Sequence, residues 1–261
     1  AAITMNETAA FFDELQRSET YKNLKTMTRS ADRAAADFLN QEVRGRTLSV
    51  GGVWEFFEQR PESIDLTCLD LSEEMLKSYA PAGAKFVIGD LFDAALPEAA
   101  FDSMVFTLLL HHLAEGDYAN CCRRVDVALR LACRWLKPGG RVFIVEYCPA
   151  PAWMPAQRLL LPLTKWFLRL ARMPLVFLHE RGFYEASLAA NGFCDITARR
   201  IHSPGVSEWT WFPIFLGVPW LRMPVKFYPK MHIFTGRKCG TPGKTDSISQ
   251  SADRISQTTT Q

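Results

Sequence analysis

Five short apolar segments alternate with helical segments between residues 46 and 148, and this alternation constrains the fold more than any other feature of the sequence. The segments are RTLSVGG (46–52), IDLTCLDL (64–71), KFVIGDLF (85–92), FDSMVFTLLL (101–110) and GRVFIVEYC (140–148). Strands that are apolar along nearly their whole length are typical of a parallel sheet covered on both faces, with right-handed crossovers. Two further strand candidates follow at 195–203 and 230–238. We therefore predict an α/β fold with a seven-stranded, mostly parallel sheet and helices on both faces.

The sequence around this block predicts four regions. They are an N-terminal helical layer (1–45), the core (46–150), a helical and aromatic lid with the final strands (151–238), and a disordered tail (239–261) that has few large apolar residues. In the N-terminal layer, Ser30 is a candidate N-cap for a helix that carries Ala34, Phe38 and Leu39 on one face.

Composition and charge argue against several classes of function. The 261 residues are 48% hydrophobic, and 30 Lys and Arg against 28 Asp and Glu give a net charge of +2, so nothing indicates nucleic-acid binding. The seven cysteines include no C-x-x-C pair and are odd in number, which argues against a zinc site and a disulfide framework, and no metal is expected. We find no signal-like segment and no membrane span, and therefore expect a cytoplasmic protein with a small-molecule partner.

Glycines and carboxylates stand where the predicted strands end. Gly51 and Gly52 follow the first strand, Asp70 ends the second, and Asp90 follows the third. In an open parallel sheet, ligands bind outside the carboxyl ends of the strands. Asp70 comes about 20 residues after the first glycine, at the distance where a carboxylate accepts hydrogen bonds from both hydroxyl groups of a ribose. Asp90 is placed to accept a hydrogen bond from an amine on a base.

The turn after the first strand lacks the third glycine of a dinucleotide-binding turn. Two glycines let the backbone approach a ligand closely. Trp54 and Glu55, however, put bulk and negative charge where a pyrophosphate needs an open helix N-terminus. The turn therefore favours a nucleoside without phosphates, such as an adenosine that bears an amino acid, over NAD.

Three motifs together resemble the class I S-adenosylmethionine-dependent methyltransferases, especially the small-molecule branch that includes the ubiquinone and menaquinone C-methyltransferases. The motifs are CLDLSEEML (68–76), FVIGDLFDAALPEAAFDSMVFTLLLHHL (86–113) and WLKPGGRVFIVEY (135–147). The resemblance implies a Rossmann-like fold and S-adenosylmethionine as the cofactor. It also implies that Asp70, followed by Leu71, binds the ribose in front of a helix with Ser72 as its N-cap. In the second motif, Asp90 would contact the adenine amine and Leu91 would pack on the adenine ring.

The first turn departs from the pattern of this family. The family places an acid two positions before its first glycine and continues with further glycines, whereas this chain has Ser49, Val53 and Trp54 there. We expect weakened or rearranged cofactor binding rather than its loss. The candidates to hold the methionine part of the cofactor are Ser49, Gly51, Gly52 and Thr107.

Four side chains are candidates for contact with the methyl acceptor. They are His111, His112, His179 and Tyr184. The first two are adjacent at a strand end and point in different directions, so one of them is expected to have a structural role. Methyl transfer from a sulfonium mainly needs alignment and desolvation, so a base is not obligatory. If the acceptor is a hydroxyl group, His112 or His179 is the preferred base.

The lid region opens with a segment, 153–173, that is both apolar and basic. Its cations fall on one face of a helix: Arg158, Lys165, Arg169 and Arg172. Two interpretations remain open, a lid helix with a solvated basic face and an amphipathic helix on an anionic membrane surface. The aromatic segment 209–228 is interpreted as a substrate wall, a homodimer contact or a cap on the sheet edge.

The expected function is transfer of a methyl group to oxygen, carbon or nitrogen of a small, largely apolar molecule. One alternative keeps the fold without the reaction, as a cyclase or isomerase that uses the bound cofactor as a scaffold or positive charge. A second alternative is a cofactor-free module that binds a partner through the aromatic segment.

Overall fold

The computed structural model describes residues 10–11, 13–14, 17–51, 54–170, 173–201 and 229–240. The helices are α1 (Glu19–Glu42), α2 (Glu73–Tyr79), α3 (Tyr118–Trp135), α4 (Met154–Leu170) and α5 (Arg181–Ala190). The strands are β1 (Gly45–Val50), β2 (Ile64–Asp70), β3 (Lys85–Ile88), β4 (Phe101–Thr107), β5 (Leu136–Cys148), β6 (Phe193–Arg200) and β7 (Lys230–Lys238). The predictions about Gly52, Arg172, the aromatic segment 209–228 and the tail from residue 241 lie outside the described residues.

The seven strands form one sheet in the order β3-β2-β1-β4-β5-β7-β6. Strands β1 to β5 pair in parallel, whereas β7 is antiparallel to both of its neighbours, β5 and β6. The strand order reverses at β1, because β2 and β3 lie on one side of it and β4 lies on the other. Open parallel sheets bind ligands at such a switch point. The predicted seven-stranded, mostly parallel α/β fold is confirmed.

Two apolar cores attach the helices to the two faces of the sheet. The core under α3 and α5 includes Phe106, Leu129, Trp135, Tyr184 and Phe234. The core under α1 includes Ala35, Leu39, Phe57, Val105 and Phe143. These side chains are all fully buried, and burial of one large apolar side chain contributes about 1.5–3 kcal/mol. Packing on both faces therefore fixes the strand ends in position.

Helix α1 begins earlier than predicted. It runs without interruption from Glu19 to Glu42, so Ser30 lies in its interior and is not an N-cap. The residues before Ser30 include no glycine or proline that would stop a helix. Thr28 Oγ1 also donates a hydrogen bond to Asp32 Oδ2 at 2.7 Å within this part of the helix. The capping preference of one serine is too weak to break a continuous helical segment.

None of the helices within the described ranges is both long and apolar enough to cross a membrane.

Candidate active site

The carboxyl ends of β1 to β4 meet at one edge of the sheet. Asp70, the residue predicted to bind the ribose, lies at this edge. Asp70 is the last residue of β2, and its Oδ1 accepts a hydrogen bond from the Ser72 amide at 2.9 Å. Ser72 is the N-cap of α2, as predicted, because its Oγ accepts from the Met75 amide at 3.0 Å. The Asp70 side chain is thereby held between the sheet edge and the start of α2.

The surroundings of Asp70 oppose its negative charge. Burial raises the pKa of Asp70 to about 6; the Ser72 amide acts against this shift, and the charge of Asp13 adds to it. Asp13 comes from the N-terminal segment and accepts a hydrogen bond from Ser72 Oγ at 2.7 Å. Hydroxyl groups that donate to the ionised carboxylate would offset this cost. The environment of Asp70 therefore suits a ribose.

The ends of β2 and β3 are joined at Gly89. Its amide donates a hydrogen bond to the Asp70 carbonyl oxygen at 2.9 Å. Gly89 has a φ of +155°, and a Cβ added there meets no atom within 4 Å, so the space beside it is open. Asp90 follows, and its Oδ1 accepts from the Phe92 amide at 2.9 Å. The structure thus brings both carboxylates to adjacent strand ends, with open space beside the intervening glycine.

The two leucines predicted to contact the cofactor differ in their burial. Leu71 is half-buried just beyond β2, whereas Leu91 is 5% exposed and packs within the core under α3. Leu91 therefore offers little surface to a ligand. Its packing on the adenine ring stays a prediction.

The turn after β1 requires glycine at position 51. Gly51 has a φ of +93°, and a Cβ there would lie 2.9 Å from Leu109 Cβ and 3.3 Å from the Thr107 carbonyl oxygen. Its amide donates to the Leu69 carbonyl oxygen at 3.2 Å, and Thr107 Oγ1 donates to the Gly51 carbonyl oxygen at 3.3 Å. These contacts fix the turn between β2 and β4. Thr107 thus stabilises the turn, and its contact with the methionine part of the cofactor stays a prediction.

Ser49 stands where the resembled family has an acid. The residue is fully buried in β1, and its Oγ has no hydrogen-bond partner among the residues that the structure describes. An unpaired buried hydroxyl costs about 1–3 kcal/mol, and such costs concentrate at functional sites.

A buried carboxylate and an imidazole pair at the ends of β4 and β5. Glu146 is fully buried; its Oε1 accepts from the Leu110 amide at 2.6 Å, and its Oε2 lies 2.6 Å from His111 Nδ1. Since backbone N–H groups surround the carboxylate as donors, we assign the ring proton to Nδ1, which leaves Nε2 as a proton acceptor. A carboxylate that orients an imidazole in this way is a common arrangement for a general base.

The sequence prediction did not include Glu146. A signal was present, because Glu146 is the one acidic residue in the otherwise apolar run VFIVEYC of a strand predicted to be buried. A carboxylate in such a strand needs donors from elsewhere in the fold. The sequence does not show that those donors come from the residues that follow β4.

His179 and Tyr184 lie in a cluster of aromatic rings next to this pair. His179 is 1% exposed, and its ring stacks on Phe183 with the centroids 4.0 Å apart. The Tyr184 ring lies 5.9 Å from it, edge to face. The Phe177 ring is 5.0 Å from His179, and the Phe177 amide donates to the His111 carbonyl oxygen at 3.0 Å. The structure therefore brings His111, His179 and Tyr184, three of the four candidates for contact with the acceptor, close to one aromatic cluster. The ring of the fourth candidate, His112, lies 4.0 Å from the ring of His111.

Burial keeps three of these candidates uncharged near neutral pH. Burial, with Arg158 and His111 nearby, lowers the pKa of His179 to about 3. Burial also lowers the pKa of His112 well below its usual value and raises the pKa of Tyr184 well above its own. The Tyr184 hydroxyl and His179 Nδ1 have no hydrogen-bond partner in the described part of the chain. Both atoms belong to the aromatic cluster, and their contact with an acceptor molecule stays a prediction.

A cavity of about 410 Å³ lies elsewhere, near the amino ends of the parallel strands. It is lined in part by Phe38, Glu42, Arg141 and Asp195. Glu42 and Arg141 form an ion pair of 2.8 Å there. No predicted site residue lines this cavity, so its size does not make it the candidate site.

A family model matches the core of the chain. Residues 48–144 match the family model for a methyltransferase domain. The match begins within β1, covers β2, β3, β4 and most of β5, and includes Asp70, Asp90 and His111. Together with the strand order, it confirms the resemblance to class I S-adenosylmethionine-dependent methyltransferases. Among curated proteins, no sequence matches the chain.

Solved structures of low sequence identity share this fold. A possible histamine N-methyltransferase from Thermotoga maritima is 16% identical, with 90% of this chain and 100% of that chain covered and a TM-score of 0.57. The complex of DhpI with SAH is 17% identical, with 90% and 97% covered and a TM-score of 0.58. Human N-acetylserotonin methyltransferase in complex with SAM is 16% identical, with 87% and 59% covered and a TM-score of 0.52. At such identities the likeness concerns the fold alone.

The residues at the carboxyl edge fit S-adenosylmethionine, the cofactor of this class. Asp70 is a buried carboxylate whose charge needs donors, and the backbone at Gly89 leaves an adjoining space open. The Ser49 hydroxyl has no hydrogen-bond partner within the described ranges. The Asp70 carboxylate fits a ribose, the open space at Gly89 fits a nucleoside close to the backbone, and the Ser49 hydroxyl fits the polar methionine part.

Proposed function

We propose that this protein is an S-adenosylmethionine-dependent methyltransferase that methylates a hydroxyl oxygen of a small, largely apolar molecule. The observation that carries the proposal is the pairing of His111 with Glu146, which lies beside an aromatic cluster at the sheet edge that holds Asp70 and Asp90. A nucleoside site and a positioned base at one edge are the two parts that such a reaction uses.

The nucleoside part of the site lies at the ends of β1 to β3. In the proposed complex, Asp70 accepts hydrogen bonds from both ribose hydroxyl groups and Asp90 accepts one from the adenine amine. The backbone turn at Gly51 and the Ser49 hydroxyl hold the amino-acid part. When bound, S-adenosylmethionine would supply its sulfonium methyl group to the acceptor oxygen by in-line displacement, with S-adenosylhomocysteine as the leaving group.

The acceptor part of the site lies at the ends of β4 and β5. His111 Nε2 takes the proton of the acceptor hydroxyl, and Glu146 stabilises the imidazolium that forms. Glu146 also keeps the ring in one tautomer, since the Leu110 amide holds its other oxygen at 2.6 Å. His111 is preferred over His112 and His179, because burial lowers the pKa of both and makes them weak bases.

The aromatic cluster favours an apolar acceptor. Phe177 and Phe183 flank His179, and such rings bind flat or apolar molecules. The Tyr184 hydroxyl is a polar atom that can fix the orientation of the acceptor. We therefore expect an aromatic or aliphatic alcohol or phenol rather than a charged substrate.

A non-methylating use of the cofactor is the second candidate. The observation that favours it is Ser49, because a serine replaces the acid that orders the first turn in the resembled family. A protein that binds the cofactor tightly and leaves its methyl group in place would fit this candidate.

Mass spectrometry of reaction products tests the proposal. The full chain is incubated with S-adenosylmethionine and a panel of apolar phenols and alcohols, and products are examined for the mass of one added methyl group. We expect methylated product from the wild-type chain and at least about a hundredfold less from His111→Gln, the loss typical of a removed general base. Cofactor binding without any methylated product would favour the second candidate, and equal turnover by His111→Gln would contradict the assigned base.

A further inference from the structure

Helix α4 presents a continuous apolar face to the outside of the protein. Its exposed large side chains are Leu159, Leu160, Leu163, Trp166, Phe167 and Leu170, and their exposed fractions range from 49% to 80%. At about 100° per residue, these six side chains occupy one arc of about 120° on the helix surface. Contiguous exposed apolar patches of this kind mark interaction surfaces.

The opposite side of α4 fixes the helix to the domain. Met154 and Leu161 are buried in a small core with Phe177 and Cys121. Gln157 Nε2 donates a hydrogen bond to the Leu178 carbonyl oxygen at 2.9 Å. The apolar arc therefore points away from the domain, because the anchored residues lie on the other side of the helix.

The charge of α4 is positive only. The sequence MPAQRLLLPLTKWFLRL contains Arg158, Lys165 and Arg169 and no acidic residue. On the helical projection these cations lie together along one border between the anchored side and the apolar arc. Arg158 donates to the Tyr118 hydroxyl, and Lys165 Nζ lies 3.5 Å from the Gly116 carbonyl oxygen, which keeps both cations at this border.

We infer that α4 docks this protein on the surface of an anionic lipid bilayer, with its apolar arc in the acyl boundary and its cations at the level of the headgroups. An apolar face bordered by Lys and Arg is the pattern that binds such surfaces in the plane of the membrane. A second copy of the chain fits less well. In a two-fold interface this face would meet itself and bring cations together, with no acidic residue on the helix to pair with them.

The docked helix lies next to the acceptor part of the site. The chain leaves α4 towards Phe177, whose amide binds the His111 carbonyl oxygen at 3.0 Å, and Gln157 holds the residue before His179. A bilayer under α4 thus lies beside the aromatic cluster. An acceptor that is dissolved in the bilayer would enter from this side, an extension that rests on the proposed function.

Vesicle co-sedimentation of the full chain tests the docking. Phosphatidylcholine vesicles with and without 30% phosphatidylglycerol, a proportion of about one anionic lipid in three chosen to give a strong negative surface potential, are compared at low and high salt. We expect binding to the anionic vesicles that falls at high salt. The double variant Leu163→Gln/Trp166→Gln should bind at least about tenfold more weakly, because two apolar side chains no longer insert.

Two further variants make the test specific. Phe86→Gln removes an exposed apolar side chain of β3, outside α4, and should bind vesicles like the wild type. Lys165→Glu/Arg169→Glu should reduce binding to anionic vesicles by about tenfold or more. Equal binding by the wild type and Leu163→Gln/Trp166→Gln would overturn the inference. So would absence of wild-type binding, or a dimer in sedimentation that this same double variant abolishes.

Titration with S-adenosylhomocysteine on the same samples separates this inference from the proposed function. Normal nucleoside binding without vesicle binding overturns the docking and leaves the proposed function intact. Vesicle binding without nucleoside binding supports the docking and removes the lipid-borne acceptor. Unchanged nucleoside binding by the double variant shows that its loss of vesicle binding is not caused by misfolding.

Discussion

The Asp70 carbonyl oxygen accepts a hydrogen bond from the Gly89 amide at 2.9 Å, and this bond places the carboxylates of Asp70 and Asp90 at neighbouring strand ends. The two residues are far apart in the sequence and meet because β2 and β3 pair in parallel, with Asp70 opposite Ile88. This register brings the residue proposed to bind the ribose and the residue proposed to bind the adenine base to one place at the sheet edge.

Replacement of Asp70 by Asn is expected to raise stability and to lower nucleoside affinity at pH 8. The pKa of Asp70 in the folded protein is about 6, above the value of about 3.9 for an unfolded chain. The contribution of Asp70 to the free energy of unfolding is therefore fully present below about pH 4 and is lost as the pH rises through about 6. Asn removes the buried charge and should add about 1–2 kcal/mol in urea unfolding, while binding of S-adenosylhomocysteine weakens by about 1–3 kcal/mol.

Asp65→Asn is the matched control for this variant. Asp65 lies on the same strand, is exposed and pairs with Lys85 at 2.8 Å. Loss of such a surface pair should change stability by less than about 1 kcal/mol and leave affinity unchanged. Wild-type affinity of Asp70→Asn would be incompatible with the ribose assignment, and lower stability of this variant would contradict the cost of the buried charge.

Nucleoside affinity should depend on pH in a defined direction. In the proposed complex the ionised Asp70 carboxylate accepts from both ribose hydroxyl groups, so affinity should be full well above pH 6 and should fall as the pH drops through the pKa of about 6. The fall approaches tenfold per pH unit below that point, because the proton must first leave. Calorimetric titrations between pH 5 and 8, a span of about one unit below and two above this pKa, measure it. In Asp70→Asn the profile should be flat; a flat wild-type profile would count against the assignment.

The parts of the fold that depend on local pattern could be predicted from the sequence. Strand β7 has the predicted bounds of 230–238, and Asp70 ends β2 as expected, because apolar runs define the strands and polar residues define their ends. Ser72 is the predicted N-cap of α2. The prediction of Ser30 as an N-cap is wrong, because the helix already begins at Glu19. A single serine does not show whether the residues before it are helical.

Features that depend on contacts between distant residues could not be predicted. Glu146 meets His111 across 35 residues of sequence, and their pairing depends on the loop after β4 turning towards β5. The sequence also could not predict that the apolar arc of α4 faces outward. Helical spacing shows which side chains share a face, but only the anchoring of Leu161 shows which face packs on the domain.

Replacement of Glu146 by Gln is expected to abolish most turnover and to leave nucleoside binding nearly unchanged. The Gln carbonyl can still accept from the Leu110 amide, but its NH₂ group would donate to His111 Nδ1. The ring would then carry its proton on Nε2 and could not accept one from the substrate, as in other carboxylate-to-amide changes beside a catalytic imidazole. We expect a fall in kcat of about 10²–10⁴.

His112→Gln serves as the comparison for Glu146→Gln. Because the low pKa of His112 makes it a weak base, its replacement should reduce kcat much less than Glu146→Gln does. Stopped-time assays with the acceptor found by mass spectrometry measure both. If the two variants lose equal activity, the assignment of His111 as the oriented base is wrong.

Gly51→Ala is expected to destabilise the protein by about 2–4 kcal/mol in urea unfolding. The added methyl group would lie 2.9 Å from Leu109 Cβ, and the backbone would keep a φ of +93° that alanine rarely adopts. Gly139→Ala separates these causes. Gly139 also has a positive φ, of +77°, but a Cβ there meets no atom within 4 Å, so its cost should be about 1–2 kcal/mol. Equal losses would show that the turn is not closely packed.

Calorimetric titration of the full chain with S-adenosylhomocysteine tests the central claim, that Asp70 and Asp90 hold one nucleoside. We predict a single site per chain, weaker binding in Asp70→Asn and in Asp90→Asn, and a combined loss in the double variant that is not the sum of the two, since both side chains contact the same ligand. Folded wild-type protein that gives no heat with millimolar S-adenosylhomocysteine would contradict it.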